Sequence, residues 1–421
     1  MPFLHLGTNS LLRRRPNFGL FFAADTLAKV ADSYFLLLLP FLLADLTGSG
    51  TVLGLVLALN GLARGLASLY GGVLADRYQP QRILLWNNAL QALGLAGLAL
   101  FLFSRQTLVL PALILLSTGF GVIDGVAAPA SQAAGSKIVP PEDLLEANSY
   151  LQGLEQLTAI AGPVLAGWLL ATQGTTTAVI VGTGLYLLSV FGLAPLYKRN
   201  LLWQAEVLGH HTSFRKQFLE GLTAARSNRI VQASLGLLII NNLLITGPVV
   251  LGLLLLYQTR FGYGADVYAY SGVLFSLGFL VGVPLVTKLT KRFKPSRILL
   301  TVYCTYAVCL SIIGWAPHLA WIMVAYFLVG PAVALDTSIT STWQQSAISN
   351  RLTGRVGSLA AIAALALDPL SQALTGWGSD WSVAGVFYAS GWGLLGGFLL
   401  LYGYFEELRN IRLPEPVVEE N

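Results

Sequence analysis

Charge is what this chain of 421 residues has least of: Asp, Glu, Lys and Arg together make up 11%, where a water-exposed surface needs about 25%. A set of soluble domains is thereby excluded. The two cysteines, Cys304 and Cys309, fall in one apolar run, so no disulfide framework or Cys-rich metal site can be built, and small core residues are expected there. The four histidines, His5, His210, His211 and His318, lie in tails or loops and offer no metal-ligand cluster. No phosphate-loop lysine motif, Ser nucleophile elbow or His-Glu-x-x-His is present, so neither an ATP-driven machine nor an enzyme is expected, and no cofactor. Gly391-Trp-Gly393-Leu-Leu-Gly396 fits the dinucleotide fingerprint, but no soluble strand precedes it, and it reads as helix-packing glycine. The net charge of +5 is spread over short runs rather than gathered into a patch, which argues against nucleic acid.

What the chain does have is apolar sequence, 55% of its residues, and this excludes disorder as firmly as the missing charge excludes water. The lipid bilayer is its solvent. Windows of about 20 apolar residues, the length that crosses a hydrocarbon core, occur at roughly 17–42, 52–74, 82–104, 107–130, 148–171, 174–196, 230–257, 268–289, 297–316, 320–343, 356–378 and 382–404. Each must be helical, because an unpaired backbone N–H or C=O costs several kcal/mol in lipid. The predicted fold is all-α and integral to the membrane, with twelve transmembrane helices. Arg13, Arg14 and Arg15 before the first window mimic a signal peptide. That window is too long, carries Asp25, Lys29 and Asp32, and lacks a small-residue cleavage site, so it reads as a retained first span.

The bases set the orientation. With the N-terminus in the cytoplasm, 21 Lys and Arg fall on inner segments and only Arg105 and Arg260 on outer loops. This is a strong positive-inside signal, and an even number of spans returns both termini to the cytoplasm. The longest polar stretch divides six spans from six, giving an N-terminal half over 1–197, a cytoplasmic linker over 198–229, a C-terminal half over 230–404 and a cytoplasmic tail over 405–421. An internal repeat supports the division. Leu74-Ala-Asp-Arg77-Tyr-Gln-Pro80-Gln-Arg82-Ile-Leu-Leu85 recurs 215 residues later as Leu289-Thr-Lys-Arg292-Phe-Lys-Pro295-Ser-Arg297-Ile-Leu-Leu300. Both copies fall between the second and third spans of their half, which points to duplication.

Two parallel six-span repeats with a basic signature after the second and eighth spans resemble the major facilitator superfamily. Gly72-Val-Leu-Ala-Asp76-Arg77 is similar to the superfamily's inner-loop signature, with Arg82 beyond it. Gln79 and Pro80-Gln81 depart from the usual Gly and basic pair, and Pro80 is expected to supply the turn instead. Gly162-Pro163-Val-Leu-Ala166-Gly167 resembles the antiporter signature of the fifth span, without its upstream glycines. Asn17-Phe18, Asp32, Leu39-Pro40, Leu46-Thr-Gly-Ser49, Val139-Pro-Pro-Glu142 to Ala147-Asn148 and Gly354-Arg355-Val356 are similar to the branch containing macrolide and siderophore exporters. The resemblance implies a cytoplasmic gating motif at Gly72, Asp76, Arg77 and Arg82 and an antiporter-like motif at Gly162, Pro163 and Gly167. It also implies a secondary transporter of the bacterial inner membrane, with a small-molecule substrate, working as a monomer.

Eight charged residues fall inside spans: Asp25, Lys29, Asp32, Arg64, Asp124, Glu155, Asp336 and Asp368. Each costs about 2.5–3.5 kcal/mol on insertion scales, so such residues face a water-filled cavity or a partner. Asp25, Lys29 and Asp32 share about 60° of one helix face. Lys29 can neutralise Asp25 one turn away, which leaves Asp32 without a helical partner at that spacing. Counted from the inner ends of their spans, Asp25, Arg64, Asp124 and Glu155 lie about 9–15 Å deep and can form one layer. Arg64 suits the hub of such a layer, exchanging carboxylates as the cavity opens and closes, because its fork is bidentate and permanently charged. A static network holding the half together is the other reading. Asn60 lies on the Arg64 face and has an even claim to the cavity. Asn87, Asn88, Gln91, Asn241 and Asn242 read as helix–helix bonds, and Tyr34, Phe35 and Trp86 as apolar contact area. Kinks are expected at Gly247-Pro248 and beside Asp368 at Pro369.

Six acids against two bases cannot all stay ionised in a low dielectric. The expectation is therefore proton-coupled efflux of an amphipathic small molecule, of the drug, macrolide or siderophore class, by alternating access. An excess of carboxylates favours cationic or neutral substrates over anions. Movement of a lysophospholipid or related lipid, and a membrane sensor without transport, are the alternatives.

Overall fold

A computed structural model describes residues 11–104, 109–198, 223, 226, 228–347 and 350–411. Most of the linker between the halves and the end of the tail lie outside the described residues, as do the side chains of Gly72, Asp76, Arg77, Lys137, Arg351 and Arg355. Among the described residues there is no strand. Ten helical segments among these residues are long and apolar enough to cross a membrane, and two of them, Glu146–Leu196 and Ala363–Tyr404, are long enough to hold two spans in tandem. The count is therefore twelve. The membrane helices are α1 (Pro16–Thr47), α2 (Gly50–Arg77), α3 (Pro80–Ser104), α4 (Val109–Ile138), α5 (144–173), α6 (175–198), α7 (Arg229–Phe261), α8 (Ala265–Thr290), α9 (Pro295–Trp315), α10 (Leu319–Ala347), α11 (350–381) and α12 (383–404).

Local chemistry explains where these helices stop. Gly48 ends α1 with φ of 60°, the left-handed region that glycine enters without strain, and the Ser49 side chain then accepts from Val52 N to start α2. Gly174 separates α5 from α6 with φ of 78°, whereas Ser382 separates α11 from α12 in extended backbone open to any residue. Pro80 and Pro295 open α3 and α9, where the missing N–H is no loss. The two repeat copies also fold alike. Tyr78 N donates to Leu74 O and Phe293 N to Leu289 O, each at 2.8 Å; Arg82 N donates to Gln79 O and Arg297 N to Lys294 O, each at 2.9 Å. Pro80 thus restarts the helix as expected, without the usual glycine. At Gly247-Pro248 the expected kink takes the form of a wider π turn over Pro248–Gly252. Gly247 N, just before that turn, donates to Ser371 Oγ on α11 at 2.8 Å. At Pro369 the chain stays helical.

The chain forms two compact units, Met1–His210 with Tyr263–Ala269, and His211–Gly262 with Tyr270–Asn421. Within the first, α2 and α4 meet at glycines. A Cβ on Gly71 would stand 2.7 Å from Val126 O, and one on Gly125 would stand 2.8 Å from the Ala67 methyl and press on the Arg64 carbonyl. Within the second, α8 and α10 meet in the same manner, Gly330 lying against Phe275 O and Phe279 N, and Gly282 against Pro331. Hydrocarbon supplies no hydrophobic drive between helices, so close backbone approach through small residues is what secures them. The cytoplasmic end of the first unit is closed by a short helix, Leu11–Arg14. Leu11 is fully buried against Phe18, Phe21 and Val139, while its N–H donates to Glu146 Oε1 at 3.1 Å. Arg14 pairs with Glu146 at 2.6 Å and Arg15 with Asp143 at 2.8 Å.

Gly125→Ala is expected to lower stability by about 1–3 kcal/mol, the usual cost of overfilling a packed contact. Gly119→Ala, on the same helix with nothing within 4 Å of its Cβ position, should be neutral or gain up to about 1 kcal/mol from helix propensity. Thermal unfolding of the two purified variants in detergent checks the contrast.

Candidate functional site

The first unit encloses a cavity of about 290 Å³ lined by Asp25, Lys29, Asp32, Arg64, Asp124 and Glu155. All six intramembrane charges of the N-terminal half therefore meet in one place. Three come from the single stripe on α1, and the others from α2, α4 and α5, so four helices must be assembled before the site exists. Lys29 is its clamp. Its Nζ lies 3.2 Å from Asp25 Oδ2 and 3.3 Å from Glu155 Oε1, joining α1 to α5. Asp25 is buried, and Oδ2 takes no hydrogen bond among the described residues, so the Lys29 ammonium is what balances it. Glu155 keeps 61% of its side chain exposed and Lys29 20%, which places the clamp at a wet edge of the cavity.

Asp32, one turn further along α1, has a partner that helical spacing does not reveal: Tyr186 OH on α6 donates to its Oδ1 at 2.8 Å. Arg64 is exposed and forms no ion pair among the described residues. It sits within electrostatic reach of both Asp32 and Asp124, facing the cavity with its fork uncommitted. Asn60 is held away from that role, donating to Ser117 O on α4 at 2.6 Å.

Asp124 anchors a chain of side-chain hydrogen bonds. Gln91 Nε2 donates to Asp124 Oδ1 and, at 3.4 Å, to Asn87 Oδ1. Asn87 donates to Asn88 at 2.9 Å, Asn88 to Ser189 Oγ at 2.8 Å, and Ser189 to Ala24 O at 2.7 Å. The chain runs from α4 through α3 and α6 to α1. Asn87 and Asn88 also line the cavity, so they do more than the helix–helix bonding expected of them. Ser33, Ser131 and Thr158 add hydroxyls to its polar wall. Tyr34, Phe35 and Trp86 do not line it: Tyr34 OH donates to Ala178 O, Phe35 packs on Phe120, and Trp86 is exposed.

The second unit holds its two intramembrane acids, Asp336 and Asp368, apart from any base in an ion pair among the described residues. Asp336 on α10 is buried and accepts from Asn241 Nδ2 at 2.9 Å, Thr340 Oγ1 at 3.2 Å and Tyr306 OH at 3.5 Å, while Tyr303 OH donates to Asn241 Oδ1 at 3.1 Å. Neutral donors alone satisfy this carboxylate. Asp368 on α11 is half-buried and accepts from Thr246 Oγ1 at 3.1 Å. Cys309 is buried, whereas Cys304 is exposed on the outward face of α9 rather than in the core.

The sequence model described as Major Facilitator Superfamily matches residues 21–367, most of the chain. This chain belongs to the Major Facilitator Superfamily. Curated relatives include the enterobactin exporter EntS of Escherichia coli O1:K1 / APEC, 26% identical over 97% of this chain and 96% of that protein, and the enterobactin exporter EntS of Shigella boydii serotype 4 (strain Sb227), with the same identity and coverage. Among solved structures, a POT family transporter in complex with 5-aminolevulinic acid aligns with TM-score 0.72 at 12% identity, over 95% of this chain and 98% of that one. A bacterial homologue of the iron transporter ferroportin in an inward-facing state aligns with TM-score 0.70 at 16% identity, over 93% and 99%. The facilitator fold, with its twelve helices in a membrane, is thus shared across the length of the chain.

Of the superfamily motifs, Gly72, Asp76 and Arg77 lie on the last turns of α2, with side chains outside the described residues, and Arg82 lies on the first turn of α3. Gly162 on α5 gives α1 a close approach: a Cβ there would stand 2.6 Å from Ser33 Cβ and 2.8 Å from Tyr34 N. Pro163 follows it inside the helix, and Gly167 packs on Ala265 and Ala269 within the same unit. Gly162 therefore presses the acidic stripe of α1 against α5, which is what brings Lys29 to Glu155. Sequence reasoning missed Tyr186, Ser131 and Thr158. Nothing but the fold could have found them, because a lone Tyr, Ser or Thr in an apolar helix is ordinary until its neighbour is known.

Lys29→Met should destabilise the protein by about 2–3 kcal/mol, near the lower end for breaking a buried pair because Lys29 keeps some exposure. Adding Asp25→Asn should recover part of the loss, since the uncompensated carboxylate is removed as well. Unfolding midpoints of wild type, single and double variants measure this coupling.

Proposed function

We propose that this protein exports an amphipathic small molecule, of the siderophore or drug class, from the bacterial cytoplasm by alternating access driven by protons. It acts as a monomer in the plasma membrane, with the halves 1–197 and 230–404 as the moving bodies and 198–229 as the cytoplasmic linker between them. One observation carries the reading: four carboxylates and two bases, drawn from four apolar helices, share one polar cavity with a hydrogen-bonded chain leading from it. A merely structural ion pair needs neither the extra carboxylates nor the space. The likeness to enterobactin exporters over almost the full length of both chains supports efflux and the siderophore class.

At about 290 Å³ the cavity sits at the lower edge of the range for pockets that hold drug-sized ligands. Its size suits the handling of protons and water, or one end of an amphipath, better than a whole siderophore. Asp32 is the proton-carrying group in this scheme. When ionised it accepts from Tyr186 OH; when protonated it becomes a donor itself and loses its attraction for Arg64. Arg64, with no fixed partner, then turns to Asp124. Loading Asp32 from outside and unloading it inside ties the gradient to the conformational cycle, each charge crossing 100 mV contributing about 2.3 kcal/mol. The acidic excess favours cationic and neutral substrates.

Flux into or out of proteoliposomes, with and without an imposed pH gradient, tests the proposal against cationic, neutral and anionic compounds that include a siderophore. Movement that collapses with the gradient is expected. Gradient-independent lipid scrambling would point to a lipid transporter, and binding without flux to a sensor. Asp32→Asn should abolish gradient-driven flux while the purified protein stays folded and retains ligand binding; driven export at the wild-type rate would remove Asp32 from the mechanism.

A further inference from the structure

The second unit contains a cavity of another character, about 320 Å³ and apolar. Val302 on α9 and Leu328, Pro331, Ala332 and Leu335 on α10 form its walls, and Phe293 and Arg297 stand at its end. Along α9 the lining extends from Arg297 to Thr305, about 12 Å of helix. The distribution of bases puts the Arg297 end at the cytoplasmic surface of the membrane and the Thr305 end in hydrocarbon. Phe293 and Leu328 each keep nearly half of their surface exposed, so the cavity is an open furrow rather than a sealed void.

Five bases crowd the surface end within ten residues: Lys288, Lys291, Arg292, Lys294 and Arg297. Among the described residues none of them is in an ion pair. The equivalent loop of the first unit shows that this charge is not required by the turn. Lys291 stands where Asp76 stands in the first copy, Lys294 where Gln79 stands, and Lys288 where Val73 stands. Three backbone hydrogen bonds that the two turns share nevertheless match to 0.1 Å or better. Shape is held while three positions turn basic, and it is the copy beside the apolar furrow that has done so.

We propose that this furrow binds an anionic phospholipid of the inner leaflet. Its phosphate sits on Arg297 and Lys294, where the guanidinium fork and ammonium match a phosphodiester, and one acyl chain lies along α9 and α10. Thr301, exposed on the lining between the two regions, lies at the level of the glycerol esters. The neutral phospholipid of the same chain length lacks the charge, and a soluble phosphate lacks the chain, so neither meets both ends of the site.

Native mass spectrometry of the detergent-purified protein titrated with phosphatidylglycerol, phosphatidylcholine or glycerol phosphate tests this. Retention of phosphatidylglycerol above the other two is expected. Affinity should fall about fivefold for Arg297→Gln and about a hundredfold for Lys291→Gln/Lys294→Gln/Arg297→Gln, following the contribution of each base near an anionic surface. Thr301→Trp, which fills the furrow without touching the charge, should also remove the bound lipid. Size-exclusion profiles and unfolding midpoints confirm that these exposed substitutions leave the fold intact. Equal retention of phosphatidylcholine, equal binding of glycerol phosphate, or phosphatidylglycerol binding unchanged in the triple and Thr301 variants would each overturn the proposal.

Discussion

Inside hydrocarbon a polar group has no water to fall back on, and this one constraint governs every level of the molecule. It makes the backbone helical across each membrane span, because only a helix satisfies its own N–H and C=O groups. It forces the helices to bind one another through glycine contacts rather than through exclusion of water, as Gly71 and Gly125 do in one unit and Gly282 and Gly330 in the other. It also makes partners valuable to the charged and polar side chains that the spans carry inward. Lys29 answers Asp25 and Glu155, Tyr186 answers Asp32, and Gln91 answers Asp124.

The two units meet this constraint in different ways. The first sets charge against charge around a cavity and leaves Arg64 outside any ion pair among the described residues. The second surrounds Asp336 with neutral donors and two buried tyrosines, Tyr303 stacked on Phe398 and Tyr306 set edge-on to Tyr303, a closed arrangement with little room to rearrange. Under the proposed alternating-access cycle, the first network is the one that would rearrange and the saturated second one the one that would hold. The internal repeat shows the same divergence on a smaller scale: its two turns keep one backbone geometry, while the charge on them has moved from nearly balanced to strongly basic.

Much of the fold was legible in the chain itself. Hydrophobic run length sets helix number because bilayer thickness is a fixed ruler, and the tandem spans divide at Gly174 and Ser382, within a few residues of the expected gaps. The one acidic stripe on α1 was legible because helical periodicity is local, and the common depth of Asp25, Arg64, Asp124 and Glu155 because rise per residue is constant. Other expectations did not survive contact with the fold. Trp86 and Cys304 face outward and Tyr34 and Phe35 are packed away, since which side of a uniformly apolar helix faces inward is decided by its neighbours and leaves no periodic trace.

What the sequence by itself determined is the solvent, the number of crossings, their orientation and the list of charges that must find a place in the interior. All of these follow from composition and one-dimensional spacing. The tertiary structure alone decided which charges meet: that Lys29 serves Asp25 and Glu155 together, that a tyrosine 154 residues away completes Asp32, and that a row of Asn, Gln and Ser joins α4 to α1. Those pairings depend on how helices rotate and approach. Gly162 against Ser33 and Gly125 against Ala67 set that approach, and no spacing along the chain records it.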